Sequence, residues 1–284
     1  MSVYTLFISI SCSVAVSVLL KLAYRYQIHV AQAITTNYAV AAGLCWFLLN
    51  PEPQALLQPS TSWWVLVSLG VLLPAIFLAM AGAVRYAGIV LSDAAQRLSL
   101  FIPLIAAFTL FGEAISPSKL AGIVIGISAL ICLLLRPNTA NTPGERYKGL
   151  MLLLCVWLGY GSIDILFKQL AKSGTAFSSS LLLTFCLASV LMLGYLVAKR
   201  TAWNQRSVVT GVLLGLLNFG NIYFYIRAHQ IFSDNPTLVF SAMNIGVISA
   251  GTLIGAGLFK EKLSWVNALG VALAIAAILV LIPR

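Results

Sequence analysis

The sequence predicts an all-α membrane protein with ten transmembrane helices in two inverted five-helix repeats, and three observations lead there. The first is solvent preference: 61% of the 284 residues are hydrophobic and 8% charged, against roughly 25% charged in a soluble domain. The second is length, because apolar runs of about 20 residues, enough to span a bilayer core, follow one another with only short breaks. The third is recurrence: charged residues stand at corresponding places in the two halves, and an odd number of spans per half makes the second copy enter the bilayer from the opposite side.

Span one, 3–24, follows Met1-Ser2-Val3-Tyr4, a start without positive charge that runs into an apolar stretch too long for a signal-peptide core, so it is expected to be retained. Span two, 31–49, stops before Asn50-Pro51-Glu52-Pro53, and span three, 63–84, contains Pro74 and ends at Arg85. Span four, 88–111, opens at Gly88 and carries Pro103; span five, 118–136, follows Gly112-Glu113 and ends at Arg136-Pro137. The most polar connector comes next, with Asn138, Asn141, Pro143, Gly144 and Glu145. It divides the chain into a first repeat over 1–137, a connector over 138–146 and a second repeat over 147–284. Spans six to ten are expected over 147–170, 177–198 (closed by Lys199-Arg200), 207–229, 236–259 (opened by Pro236) and 264–283. Pro74, Pro103 and Pro236 are expected to interrupt or open their spans.

The halves overlay on their charged residues. Leu20-Lys21-Leu22-Ala23 matches Phe167-Lys168-Gln169-Leu170, and Arg85 with Ser92-Asp93 matches Arg227 with Ser233-Asp234. Phe111-Gly112-Glu113-Ala114-Ile115-Ser116, with Gly122 nine residues after the glutamate, parallels Phe259-Lys260-Glu261-Lys262-Leu263-Ser264, with Gly270 nine after its own. On these residues the whole chain resembles the ten-helix EamA-like members of the drug/metabolite transporter superfamily. The resemblance implies two inverted five-helix bundles around a cavity lined by helices one, three, four, six, eight and nine, in a bacterial inner membrane. One departure stands out: where the related four-helix exporters carry a proton-exchanging glutamate eight residues before the lysine, this chain has Ser13 and Tyr160.

A charge at the bilayer centre costs at least about 2.5 kcal/mol, so ionisable residues deep in spans are candidates for function. Asp164 lies one turn before Lys168, and Asp93 one turn before Arg97, each pair able to meet on one helix face. An arginine at Arg97 suits a carboxylate or phosphate. Asn218, Asn221 and Tyr225 form one stripe of span eight; Asn244 joins them from span nine. Asn37 reads as interhelical glue, and Trp157, Tyr160 and Tyr225 as aromatic walls. The expected substrate-binding set is therefore Asp164, Asp93, Arg97, Asn218, Asn221, Asn244, Tyr160 and Tyr225. The GxxxG spacings Gly122/Gly126, Gly211/Gly215 and Gly251/Gly255 read as close packing.

Other functions find no residues. Cys12, Cys45, Cys132, Cys155 and Cys186 are scattered through spans without disulfide or zinc spacing. His29 and His229 sit near span ends, and there is no HExxH, GxSxG or Walker loop. No catalytic residue, cofactor or metal is expected, and the excess of Lys and Arg is spread over connectors as topology signals, not as a nucleic-acid stripe. Alternate connectors hold eleven Lys and Arg on the Lys21 side and five opposite, Arg97 omitted. That count places both termini outside, whereas ten-helix relatives are often drawn with both cytoplasmic. The expected activity is gradient-driven alternating-access export of small polar or amphipathic metabolites such as amino acids, with a coupling proton or ion. The alternatives are a lipid or lipid-linked sugar flippase and a multidrug exporter. Partners are the substrate and the bilayer, the protein being a monomer or homodimer.

Overall fold

A computed structural model describes residues 4–58, 61–109, 117–135, 142–172, 176–232 and 236–280. These form α1 (Tyr4–Arg25), α2 (Val30–Leu49), α3 (Trp63–Ala87), α4 (Ile89–Leu98), α5 (Phe101–Thr109) and α6 (Pro117–Leu134). After the connector come α7 (Pro143–Lys172), α8 (Phe177–Ala198), α9 (Gln205–Ile231), α10 (Pro236–Leu253) and α11 (Trp265–Val280). Among the described residues there is no strand. Among the same residues, seven helices, with α4 and α5 joined as Ile89–Ala106, are long and apolar enough to cross a membrane, and three further apolar helices are shorter. Large apolar side chains cover the outside, including Phe47, Val197, Leu253 and Leu258, which water would not tolerate in such number. Exposed Trp46, Trp63, Trp64, Trp203 and Trp265 stand near helix ends, as aromatic side chains do at the two faces of a bilayer. The protein is a multi-pass integral membrane protein.

Hydrogen bonds fix which helix ends meet. At one end, His29 N–H donates to Ser207 Oγ (2.9 Å) and Gln32 Nε2 to the Ala202 carbonyl (2.6 Å), joining the starts of α2 and α9. At the same end, buried Asn267 in α11 donates from Nδ2 to the carbonyls of Cys132, Leu133 and Leu135, capping α6. At the far end, Ser179 and Glu52 exchange two hydrogen bonds (2.8 and 3.0 Å) and join the end of α2 to the start of α8. Inside the bundle α9 lies against α1 and α2, α3 against α7 and α8, and α10 against α1 and α4, while α6 and α11 pair with each other. Gly211 and Gly215 make the α2–α9 approach: a Cβ on Gly211 would lie 2.6 Å from the Ala33 carbonyl oxygen.

Of the expected proline effects, those at Pro103 and Pro236 hold and that at Pro74 does not, and some boundaries change. Span four is broken at Ser99 and Leu100 into α4 and α5. The physical reason is Pro103, which has no N–H for the Ser99 carbonyl and collides with it in a continuous helix. That carbonyl accepts instead from the Ile102 N–H at 2.9 Å. Pro74 breaks nothing, since α3 runs on through it. Pro236 opens α10, where a missing N–H costs nothing. The second half begins its helix at Pro143, inside the expected connector, because Thr142 and Glu145 form a capping box: Glu145 N–H donates to Thr142 Oγ1 and Thr142 N–H to Glu145 Oε2. Span nine ends in a wide π turn, Ile254–Leu258. The Phe111–Ser116 and Ser233-Asp234 motifs, residues 136–141 and the Lys168 side chain lie outside the described residues.

Candidate functional site

The break in span four creates the site. Ending a helix in mid-bundle frees carbonyls that must find donors. Trp157 Nε1 on α7 donates to the Leu98 carbonyl (3.1 Å), and Ser99 Oγ to that of Gln96 (2.6 Å). Trp157 is thus a prop for the break and not an aromatic wall, contrary to the sequence expectation. Immediately before the break stand Gln96 and Arg97, facing a cavity of about 280 Å³.

The cavity is lined by Gln96, Arg97, Ser99 and Leu100 from the break, Tyr160 and Asp164 from α7, Phe177 from α8, Asn221, Ile222, Tyr225 and Ile226 on one stripe of α9, and Met243 and Asn244 from α10. A small second lobe of about 40 Å³ continues toward α1 and α3, between Ser13, Ser17, Met80 and Asn218. Of the eight residues singled out in the sequence, Arg97, Tyr160, Asp164, Asn221, Tyr225 and Asn244 line the main cavity and Asn218 the second lobe. Asp93 lines neither. It is buried one turn away, its Oδ1 accepting from Ser17 Oγ at 2.6 Å. Asn37 and Asn218 bond to each other across α2 and α9 (3.2 Å).

The charged groups do not pair with each other. Arg97 donates to Ser13 Oγ (2.7 Å), its buried Nε has no partner, and neither Asp93 nor Asp164 approaches it within 4.0 Å. Asp93 and Arg97, one turn apart and able to meet on one helix face, are held instead by two serine contacts on α1, because α1 packs against the face of α4 that carries both side chains. Asp164 is open to solvent inside the cavity, with Tyr160 and Tyr225 also in the electrostatic field of Arg97. The site therefore offers a fixed cation with unused donor capacity and a separate carboxyl group, between aromatic and amide walls. Gln96, Ser13 and Ser17 were missed as site residues. The i, i+4 series Ser13, Ser17, Lys21 along span one is the signal that would have found two of them.

No family model matches the chain. It is 50% identical over 280 residues to an uncharacterized protein of Haemophilus influenzae, covering 97% of this chain and 96% of that one. A solved crystal structure shares the fold, with a TM-score of 0.58 and 19% identity over 98% of this chain and 95% of the other. At that identity the likeness concerns architecture alone. Half of all positions shared along nearly the whole length of both chains leaves no doubt of common descent, and the protein belongs to one family with the Haemophilus influenzae protein.

Proposed function

We propose that the protein is a secondary transporter that exports small polar or amphipathic metabolites, such as amino acids, by alternating access, and that it is not an enzyme. The observation that carries the reading is the cavity itself, a chamber of mixed polar and apolar walls inside an apolar bundle, holding an arginine that pairs with neither Asp93 nor Asp164 and an exposed aspartate beside a broken helix. Charges kept apart in a membrane interior are costly unless a ligand or water completes them. Broken helices around a central site recur in secondary transporters.

The proposed scaffold is ten crossings in two inverted halves. Seven long apolar helices and three shorter ones supply the number. Support for the inversion comes from packing, when α1 is exchanged with α7, α2 with α8, α3 with α9, the α4 and α5 pair with α10, and α6 with α11. The α1–α9 contact then becomes α7–α3, α2–α9 becomes α8–α3, and α1–α10 becomes α7–α4, all of which exist. The α2–α8, α4–α10 and α6–α11 contacts map onto themselves. This pattern and the repeated Lys21/Lys168 and Glu113/Glu261 motifs favour membership of the drug/metabolite transporter superfamily and a place in the bacterial inner membrane.

The flippase reading fares less well. An apolar groove of about 390 Å³ does run along α1 and α9 between Leu19, Leu22, Tyr26, Arg206 and Thr210, but it shares no lining residue with the central cavity. A headgroup crossing the bilayer needs the two joined. The test is thermal stabilisation of the detergent-purified protein by a panel of amino acids, nucleosides, sugars, cationic drugs and lipids, since a ligand that binds the folded state raises its apparent stability. A selective response to a small metabolite, followed by flux in liposomes, is expected. Stabilisation by lipids alone would overturn the proposal.

A further inference from the structure

We propose that Lys21, Glu261 and the start of α4 form a latch that shuts the cavity from the Lys21 end of the bundle, a proposal that rests on the transport reading. Opening to that end then requires α1 and α4 to unzip.

The latch converges on one carboxylate. Glu261 lies in the segment between α10 and α11, yet its Oε1 accepts from Lys21 Nζ on α1 (3.2 Å) and from Ile89 N–H (2.8 Å), and its Oε2 from Val90 N–H (3.2 Å). A carboxylate of the second half thus caps the positive end of a helix of the first. Lys21 Nζ also reaches the Val84 carbonyl at the end of α3 (3.4 Å). The backbone is built for the contact. Gly88, at φ +93°, leaves the space in which a Cβ would meet Glu261 Oε2 at 2.6 Å, and Lys260, at φ 52°, turns the chain so that Glu261 N–H reaches the Gly255 carbonyl (2.9 Å).

From the latch a ladder leads inward. One turn along α1 and α4, Ser17 holds Asp93; one turn further, Ser13 holds Arg97, which faces the cavity. Gly251 of α10 closes over the middle rung, a Cβ there falling 2.6 Å from Asp93 Oδ2. Three polar rungs, each a helical turn apart, therefore join the bundle end to the cavity arginine. The matching places on α7, counted back from Lys168 as Ser17 and Ser13 are from Lys21, hold Asp164 and Tyr160. Those two face the cavity instead. Packing is unequal in the same sense: α1 lies against α3 and α4, while among the described residues no comparable packing joins α7 to α9 or α10. The cavity reaches Phe177, at the far end where α8 begins. Among the described residues, the polar ladder zips the α1 side, whereas Tyr160 and Asp164 of α7 line the cavity.

The test is site-resolved alkylation of a cavity cysteine, Ile222→Cys, in full-length protein in sealed vesicles, using a membrane-impermeant maleimide applied from either face and read by mass spectrometry of the labelled peptide. Charge-assisted hydrogen bonds of this kind each shift an equilibrium by about tenfold or more. Glu261→Gln is expected to raise labelling from the Lys21 face roughly tenfold and Lys21→Met similarly, with Lys21→Arg matching the parent. Unchanged labelling from the far face checks that each variant is folded, and Lys21→Met carries the test if Glu261→Gln does not fold. Labelling from the Lys21 face that is equal in parent, Glu261→Gln and Lys21→Met overturns the latch. If the parent shows no flux of any solute but the labelling follows the stated pattern, the transport reading fails and the latch stands.

Discussion

Replacing Arg97 by glutamine tests the site most directly. In the structure the guanidinium spends one nitrogen on Ser13 Oγ at 2.7 Å, has an unpartnered Nε, and has no carboxylate within 4.0 Å among the described residues. Its charge is thus available to a ligand instead of being neutralised by Asp93 or Asp164. A charge-assisted hydrogen bond contributes about 1.5–3 kcal/mol net, and each 1.4 kcal/mol is about tenfold in affinity. Arg97→Gln is therefore expected to weaken a carboxylate-bearing ligand by roughly 10- to 150-fold, and its amide analogue by no more than about threefold. Arg97→Lys, which keeps the charge and loses the planar fork, is expected to fall between. The assay is calorimetric titration of purified protein with the stabilising metabolite and its amide. Equal losses for the two ligands would refute the carboxylate clamp, because a change in packing alone weakens both.

Three further outcomes are expected. Asp164→Asn keeps the shape of a side chain already open to the cavity; the variant should remain folded by size-exclusion profile while losing liposome flux of cationic or zwitterionic substrate, and full flux would remove Asp164 from the mechanism. Asn267→Ala takes away donors to three carbonyls at the end of α6 and should cost about 2–3 kcal/mol, seen as a lower melting temperature; an unchanged melting curve would show that those carbonyls find other partners. Gly88→Ala forces a side chain onto φ +93° and against Glu261 and should destabilise by at least about 1–3 kcal/mol. Gly43→Ala, whose Cβ meets nothing within 4 Å, should be neutral or gain about 0.5–1 kcal/mol. Similar melting temperatures for the two glycine variants would contradict the strained cap.

Much of the scaffold was legible because a bilayer imposes a length on every apolar run. Spans two, three and seven start and end within about three residues of their helices, for water and lipid sort side chains with no help from tertiary contacts. The errors fall where short-range chemistry competes with hydropathy. Thr142-Pro143-Gly144-Glu145 reads as a polar linker by composition, yet its capping box starts a helix. Pro74 and Pro103 look alike in sequence. One leaves α3 continuous and the other splits span four, since at Ser99 a side-chain hydroxyl and the Trp157 indole are at hand to take up the freed carbonyls.

For the site, the sequence by itself determined which costly groups lie inside the spans, an arginine, two aspartates and several asparagines, but not Gln96, Ser13 or Ser17, whose burial costs too little to stand out. Only the tertiary structure decided their partners. Asp93 and Arg97 are one turn apart on a single helix, and nothing local prevents their pairing. The packing of α1 across α4 gives one to Ser17 and the other to Ser13, and sends Glu261 from the opposite half to Lys21. Helical periodicity tells which side chains share a face; which helix covers that face depends on contacts between residues far apart in the chain, and no local pattern encodes them.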